Sequence, residues 1–238
     1  MNPKVAWEIN TVRKSLALSL LIAMLATGGY GQSRAAGPAT PPPSKPVSVQ
    51  LFGTYEFRSD LKTLPQWRRV LSVVEGQLDE YRNCTKASCS PAAMSWRQVI
   101  RMSGNKSPME KLKTVNAYFN QWPYRLDREV YGKSDHWATP NEFLKLSGDC
   151  EDYSIIKYFA LQRLGFNMKN MRIVVVKDRI RNIGHAVLAV YIDETAYILD
   201  NLSDMVLPHS RYRHYIPQYS VNGANRWAHI RPTGKQGF

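Results

Sequence analysis

The hydrophobic period of this chain changes at Gly165, and that change sets its fold class. Before it, apolar residues recur at three- and four-residue spacing, the pattern of helices that bury one stripe. Leu64 to Tyr81 and Trp96 to Met102 carry this spacing. So does the segment opened by Pro108, where Leu112, Val115, Phe119 and Trp122 keep the period until Pro123 stops it. A further helix is expected after Gly148, with Ile156, Phe159, Ala160 and Leu164 on one face and Gly165 as its stop. After Gly165 the pattern is strand-like. Met171–Lys177 is rich in valine, His185–Ile192 is nearly continuously apolar, and Ala196–Asp200 is short and apolar. Asp193-Glu194-Thr195 reads as the hairpin turn between the last two. Helices first and an antiparallel sheet after predict an α+β fold, with N-terminal helices packed on the sheet.

The folded part is expected as one domain, residues 47–238, because neither a second linker nor an internal repeat follows the stretch GPATPPPSKP. That stretch, residues 37–46, reads as an extended Pro-rich spacer. Ahead of it, residues 1–36 have the plan of a secretory signal peptide. Lys4, Arg13 and Lys14 precede an apolar run from Leu16 to Ala26, and small residues lead to Ser33-Arg34-Ala35-Ala36. The run is shorter than the ~20 residues of a membrane-spanning helix; an uncleaved membrane anchor is the alternative. The expected location is the periplasm.

Without residues 1–36 the chain holds 28 basic and 18 acidic residues, a net of +10. A strongly basic balance often signals nucleic acid. Here the basic residues are scattered and no nucleic-acid motif accompanies them, so an acidic protein partner is expected instead. Trp67, Tyr212 and Tyr215 are either part of a partner surface or core.

Three cysteines are too few for a disulfide-built scaffold, and neither CxxC nor HExxH is present to suggest zinc. Cys84 and Cys89, with four residues between them in a turn-like stretch, can pair in an oxidising compartment. Cys150 differs. It opens the helix after Gly148, with Asp149 placed as N-cap, and a helix N-terminus favours a thiolate. A buried core cysteine is the plain alternative, but Asp149, Glu151 and Asp152 make poor company for an apolar residue. A reactive thiol needs a histidine base and a group to orient it. Of the five histidines, His185 stands at the mouth of the apolar strand AVLAVY, and Asp200 closes the next strand. A hairpin loop of two or four residues would place Asp200 on the face of His185, and a loop of three on the opposite face.

A cysteine at a helix start, a histidine on a strand and an aspartate on the next strand, in that order, resemble the papain-like transglutaminase core. The closer resemblance is to the bacterial transglutaminase-like cysteine peptidases of the periplasmic LapG type. It runs from Leu51 to about Trp227, through FGTYEFRSDLKTLPQWRRVL, NAYFNQWPYRLDREVYGKSDHWATPNEFL, GDCEDYSIIKYFALQRLG, RIVVVKDRIRNIGHAVLAVY and LDNLSDMVLPHSRYRHYIPQYSVN. The resemblance implies a protease that cleaves a large surface adhesin near its N-terminus. It also implies inhibition by an inner-membrane receptor that senses cyclic di-GMP. Cys150 is then the nucleophile, His185 the base and Asp200 its orienting partner. The oxyanion would be met by the Cys150 backbone N–H and by Trp137, for which plain packing is the competing reading.

The carboxylates beside Cys150 pose a physical problem, since nearby negative charge opposes thiol ionisation. Either they simply cap the helix start, or they hold a hard cation that offsets their charge. The resemblance points to Ca²⁺ on Asp149 and Glu151, with Asp152 and backbone carbonyls as further candidate ligands. Two other functions fit the same residues. One is a transglutaminase or amide-forming enzyme that takes an amine where a protease takes water. The other is a non-catalytic binding module on the same fold.

Overall fold

Proline starts most of the helices. In the computed structural model, which describes residues 49–85 and 87–232, four helices open on it: α1 (Pro65–Asn83), α2 (Pro91–Ser103), α3 (Pro108–Phe119) and α5 (Pro140–Leu146). The first helical N–H has no intrahelical partner, so proline loses nothing there. Side chains cap the same ends. Ser90 Oγ accepts the Ala93 N–H at 3.1 Å, and Thr139 and Glu142 bond each other's backbone N–H at the start of α5. Between them lies α4 (Asp127–Val130), a single turn. The exception is α6 (Cys150–Arg163), which opens on cysteine. The expected signal or anchor segment (1–36) and the spacer (37–46) lie outside the described residues.

The sheet has seven strands among the described residues, all paired antiparallel, in the order β1-β7-β6-β2-β3-β4-β5. The ranges are β1 (Tyr55–Ser59), β2 (Met171–Asp178), β3 (Ile183–Ile192), β4 (Thr195–Asp200), β5 (Ser203–Pro208), β6 (Tyr215–Val221) and β7 (Arg226–Ile230). The helices cover one face, where Trp67, Trp96, Phe119, Phe143 and Tyr158 join Leu188 and Val190 in the main core. Leu51, Tyr212 and Tyr215 cover the other face, over Val174, Val187 and Tyr191. A central strand covered on both faces has no polar side, which is why β3 reads as a continuous apolar run rather than an alternating one.

The four main helices and β2–β4 fall where the periodicity places them. β1, β5, β6 and β7, by contrast, carry no clear strand signal. Four of the five β1 residues are exposed, so no alternation marks it. β6 contains Pro217, which argues against a strand. It is accommodated because the β2–β6 register shifts between Val175 and Val176, and Val176 pairs with Pro217. Cys84 and Cys89 form a disulfide joining the end of α1 to the start of α2, with Cα atoms 5.0 Å apart. Trp67, Tyr212 and Tyr215 belong to the core, and the Trp67 indole donates to the Asn222 carbonyl at 2.8 Å.

Candidate active site

The start of α6 is built around one buried carboxylate. Asp152 accepts the Ala138 N–H at 2.6 Å on one oxygen and the Asp149 N–H at 3.2 Å on the other. It thereby ties the turn carrying Cys150 to the Trp137–Ala138 segment. Gly148 makes this possible, since a Cβ there would stand 2.7 Å from the Asp152 Cβ. Trp137 is fixed from outside as well. Its carbonyl accepts from Arg69 at 2.6 Å, and Arg69 forks onto both oxygens of Glu142 at 2.9 and 3.0 Å.

Cys150, Trp137, Glu151 and His185 line one cleft of about 290 Å³, with Tyr124 and Ala186 beside them. Cys150 is partly exposed and is the one free cysteine. Its thiol donates to a Glu151 carboxylate oxygen at 3.2 Å. Burial first, and then the charges of Glu151 and Asp149, push this thiol well up, while the Ala186 backbone N–H acts weakly against them. In the carboxylate environment alone, Cys150 is a thiol and not a thiolate.

The histidine and aspartate meet as the two-residue hairpin dictates. Ile192 pairs with Thr195 and Leu188 with Leu199, which leaves Asp200 one diagonal step from His185 on the same sheet face. His185 Nε2 lies 2.9 Å from Asp200 Oδ1. Both side chains are buried. The Tyr215 hydroxyl donates to Asp200 Oδ2 at 2.7 Å, and the Leu202 N–H donates to Oδ1 at 3.0 Å. Burial acts to raise the Asp200 carboxyl, but the bonds from His185, Tyr215 and Leu202 outweigh it and hold Asp200 below the usual carboxylate range. With Nε2 engaged by Asp200, Nδ1 is the imidazole nitrogen left for a proton exchange with a thiol.

Sequence reasoning missed part of the acidic group. Asp149, Glu151 and Asp152 are joined by Asp127 from α4 and by Asp135 from the following loop. Asp127, Asp135 and Glu151 bring oxygens within 4.8 Å of one another, and so do Asp127, Asp149 and Asp152. One oxygen of Asp127 and one of Asp149 are buried without any hydrogen-bond partner among the described residues. Burial, joined by the neighbouring carboxylates, raises the Asp149, Glu151 and Asp152 carboxyls. Crowded hard oxygen donors with unpaired buried lone pairs fit a divalent cation such as Ca²⁺. Tyr215 also escaped notice as a partner of Asp200. Asp127 and Asp135 stand in YRLDREVYGKSDHW, and only the fold brings them to α6.

A cysteine that opens a helix packed on an antiparallel sheet, in one cleft with a histidine from that sheet, defines a papain-like, transglutaminase-like cysteine hydrolase. Residues 77–235 match the family model of the bacterial transglutaminase-like cysteine proteinases, and the chain belongs to that family. LapG of Legionella pneumophila is a similar solved structure, at 30% identity and TM-score 0.54, covering 65% of this chain and 87% of that one. Its calcium-bound form matches at 31% identity with the same coverage and TM-score. Its EGTA-treated form matches at 30% identity and TM-score 0.54, over 84% of its length. Comparison with curated proteins gives no match.

Proposed function

We propose that this chain is a periplasmic, calcium-dependent cysteine endopeptidase that cleaves the N-terminal region of a large acidic surface adhesin and releases it, under an inner-membrane receptor sensing cyclic di-GMP. Cys150 is the nucleophile, His185 the base and acid, and Asp200 the residue orienting His185. The observation that carries this reading is the shared cleft of Cys150 and His185, with Asp200 bonded to Nε2 of the imidazole. Family membership and the likeness to LapG support it. The net charge of +10 outside residues 1–36 suits an acidic substrate.

In this mechanism His185 takes the Cys150 proton, and the sulfur attacks the scissile carbonyl carbon. The C–N bond breaks as the imidazolium gives its proton to the leaving amine, which leaves a thioester. His185 then deprotonates a water that attacks the thioester, and the carboxylate product leaves as the thiol is restored. The Cys150 N–H, free at the first position of α6, and the Trp137 indole N–H meet the developing oxyanion. Asp200 fixes the imidazole tautomer and stabilises its charged form. Asp127, Asp149, Glu151 and Asp152 would hold Ca²⁺, which supplies positive charge beside the thiol and favours its ionisation.

The test is cleavage of an N-terminal adhesin fragment from the same cell by wild type, by Cys150→Ala, and by wild type with a calcium-selective chelator. Cleavage lost in Cys150→Ala, and lost on chelation with rescue by added Ca²⁺, is the expected result. Amine crosslinking in place of hydrolysis would move the assignment to an amide-forming enzyme. Cleavage that persists in Cys150→Ala would refute it.

A further inference from the structure

Lys157 is buried to 1% exposure in the middle of α6. Among the described residues, no carboxylate is in hydrogen-bond contact with its ammonium. Instead it donates to two side-chain amides, Asn116 Oδ1 of α3 at 2.8 Å and Asn120 Oδ1 just past the end of α3 at 2.6 Å. The Tyr153 ring lies 5.6 Å away on the same helix, and Asp200 and Asp204 supply the nearest opposite charges. Burial pulls this lysine down to about 7 against those two charges. A methionine would fill the same space without a desolvated charge, so packing alone does not account for a lysine here.

What the ammonium does is orient the amides. It has three donors and no acceptor, so both asparagines must turn their oxygens toward it and their NH₂ groups away. Those NH₂ groups point at the β4–β5 turn. Asn120 donates to the Asp200 carbonyl at 3.0 Å, to the Ser203 carbonyl at 3.1 Å and to the Asp204 carboxylate at 2.9 Å. Asn116 donates to the Ser203 carbonyl at 2.8 Å. The backbone at Asp200 is therefore held by amides whose orientation Lys157 sets. Lys157 also stands seven residues after Cys150, two turns along one rigid helix, on the same helical face and about 10 Å further along the axis. One helix thus presents the thiol at its start and anchors the strand end that carries Asp200 from its middle.

We infer that Lys157 is a positioning residue for the reaction: through Asn116 and Asn120 it locks the β4–β5 turn so that Asp200 holds His185 in register with Cys150. This rests on the reading that Asp200 orients His185. Without the ammonium either amide can flip, the Asp200 carbonyl loses its donor, and the carboxylate shifts against the imidazole. A displacement of that kind costs about tenfold to a hundredfold in rate.

The test reads Cys150 directly and needs no adhesin. The rate of iodoacetamide alkylation is followed against pH with Ca²⁺ present, for wild type, Lys157→Met, Asn120→Ser and Asp200→Asn, alongside the melting temperature of each. Wild type should show a neutral-pH shoulder from the thiol–imidazole pair. That shoulder should fall at least tenfold in Asp200→Asn and in Lys157→Met, with Lys157→Met still melting cooperatively. Asn120→Ser leaves Lys157 bonded to Asn116 but removes the donor to Asp200. It should fall likewise, and it decides the matter if Lys157→Met does not fold. A folded Lys157→Met or Asn120→Ser with the wild-type profile, beside a slow Asp200→Asn, overturns the positioning role alone. A wild-type profile in Asp200→Asn overturns the Asp200 assignment itself, and the positioning role with it.

Discussion

Removing one oxygen atom from the site has a calculable consequence. Tyr215→Phe keeps the ring that packs 5.6 Å from His185 and deletes only the hydroxyl that donates to Asp200 Oδ2 at 2.7 Å. Both side chains are buried, so water cannot replace the lost donor. A hydrogen bond to a buried charged group is worth about 1.5–3 kcal/mol. For a domain of this size, where each kcal/mol moves the midpoint by about 2–4 °C, that predicts a fall of about 3–12 °C in Tm at pH 7. The pH dependence has a definite sign. Asp200 is held below the usual carboxylate range, so its bonds stabilise the fold above the unfolded-state value of about 4 and lose their effect as acid protonates it. Tyr215→Phe lets the carboxyl rise, so the gap between the two proteins is full at pH 7 and narrows below about pH 4. Circular dichroism melts across that range measure it. Equal Tm values at pH 7, or a gap of constant size in acid, would refute the assignment of Tyr215 as a structural donor to ionised Asp200.

Two further outcomes follow from the same geometry. Asp127→Asn removes one of the buried oxygens proposed to hold Ca²⁺ but keeps an acceptor for the His136 N–H that Asp127 now receives. Calcium affinity by titration calorimetry should weaken at least tenfold, and an unchanged affinity would take Asp127 out of the ligand set. Replacing Cys84 and Cys89 together by serine opens a loop closed across five positions. Stability should fall by about 2 kcal/mol by the loop-entropy relation while Cys150 alkylation keeps its wild-type rate, because the disulfide joins α1 to α2 outside the cleft; a changed alkylation rate would contradict that separation.

The candidate site was partly legible in the sequence because Cys150, His185 and Asp200 sit on strong local signals. Gly148-Asp149-Cys150 marks a helix start and Gly165 a helix stop, but the sequence does not decide whether His185 and Asp200 share a face. A turn over Asp193-Glu194-Thr195 would put them on opposite faces, and only the pairing of Ile192 with Thr195 shortens the loop to two residues. The edges of the sheet were not legible. β1 is mostly exposed and β6 holds a proline inside a bulge, so neither shows the period that a half-buried strand must have. In α6 the periodicity exposed one apolar face, Ile156, Phe159, Ala160 and Leu164. The fold instead buries every residue from Asp152 to Leu161, because helices pack against it from the side away from the sheet.

Local sequence thus placed the four main helices and β2–β4 along the chain, with Cys150, His185 and Asp200 in order on them, although α2 begins at Pro91 rather than Trp96 and α3 ends at Phe119 rather than Trp122. Only the tertiary structure decided which distant side chains complete the site. Asp127 of α4 and Asp135 of the loop after it reach α6, Tyr215 reaches Asp200 across the sheet from β6, and Lys157 reaches the Asp200 turn through Asn116 of α3 and Asn120 just past its end. Periodicity and capping act over a few residues, within one turn of helix or one step of strand. A buried charge is satisfied by whatever the fold brings within 3 Å, and that distance has no counterpart along the chain.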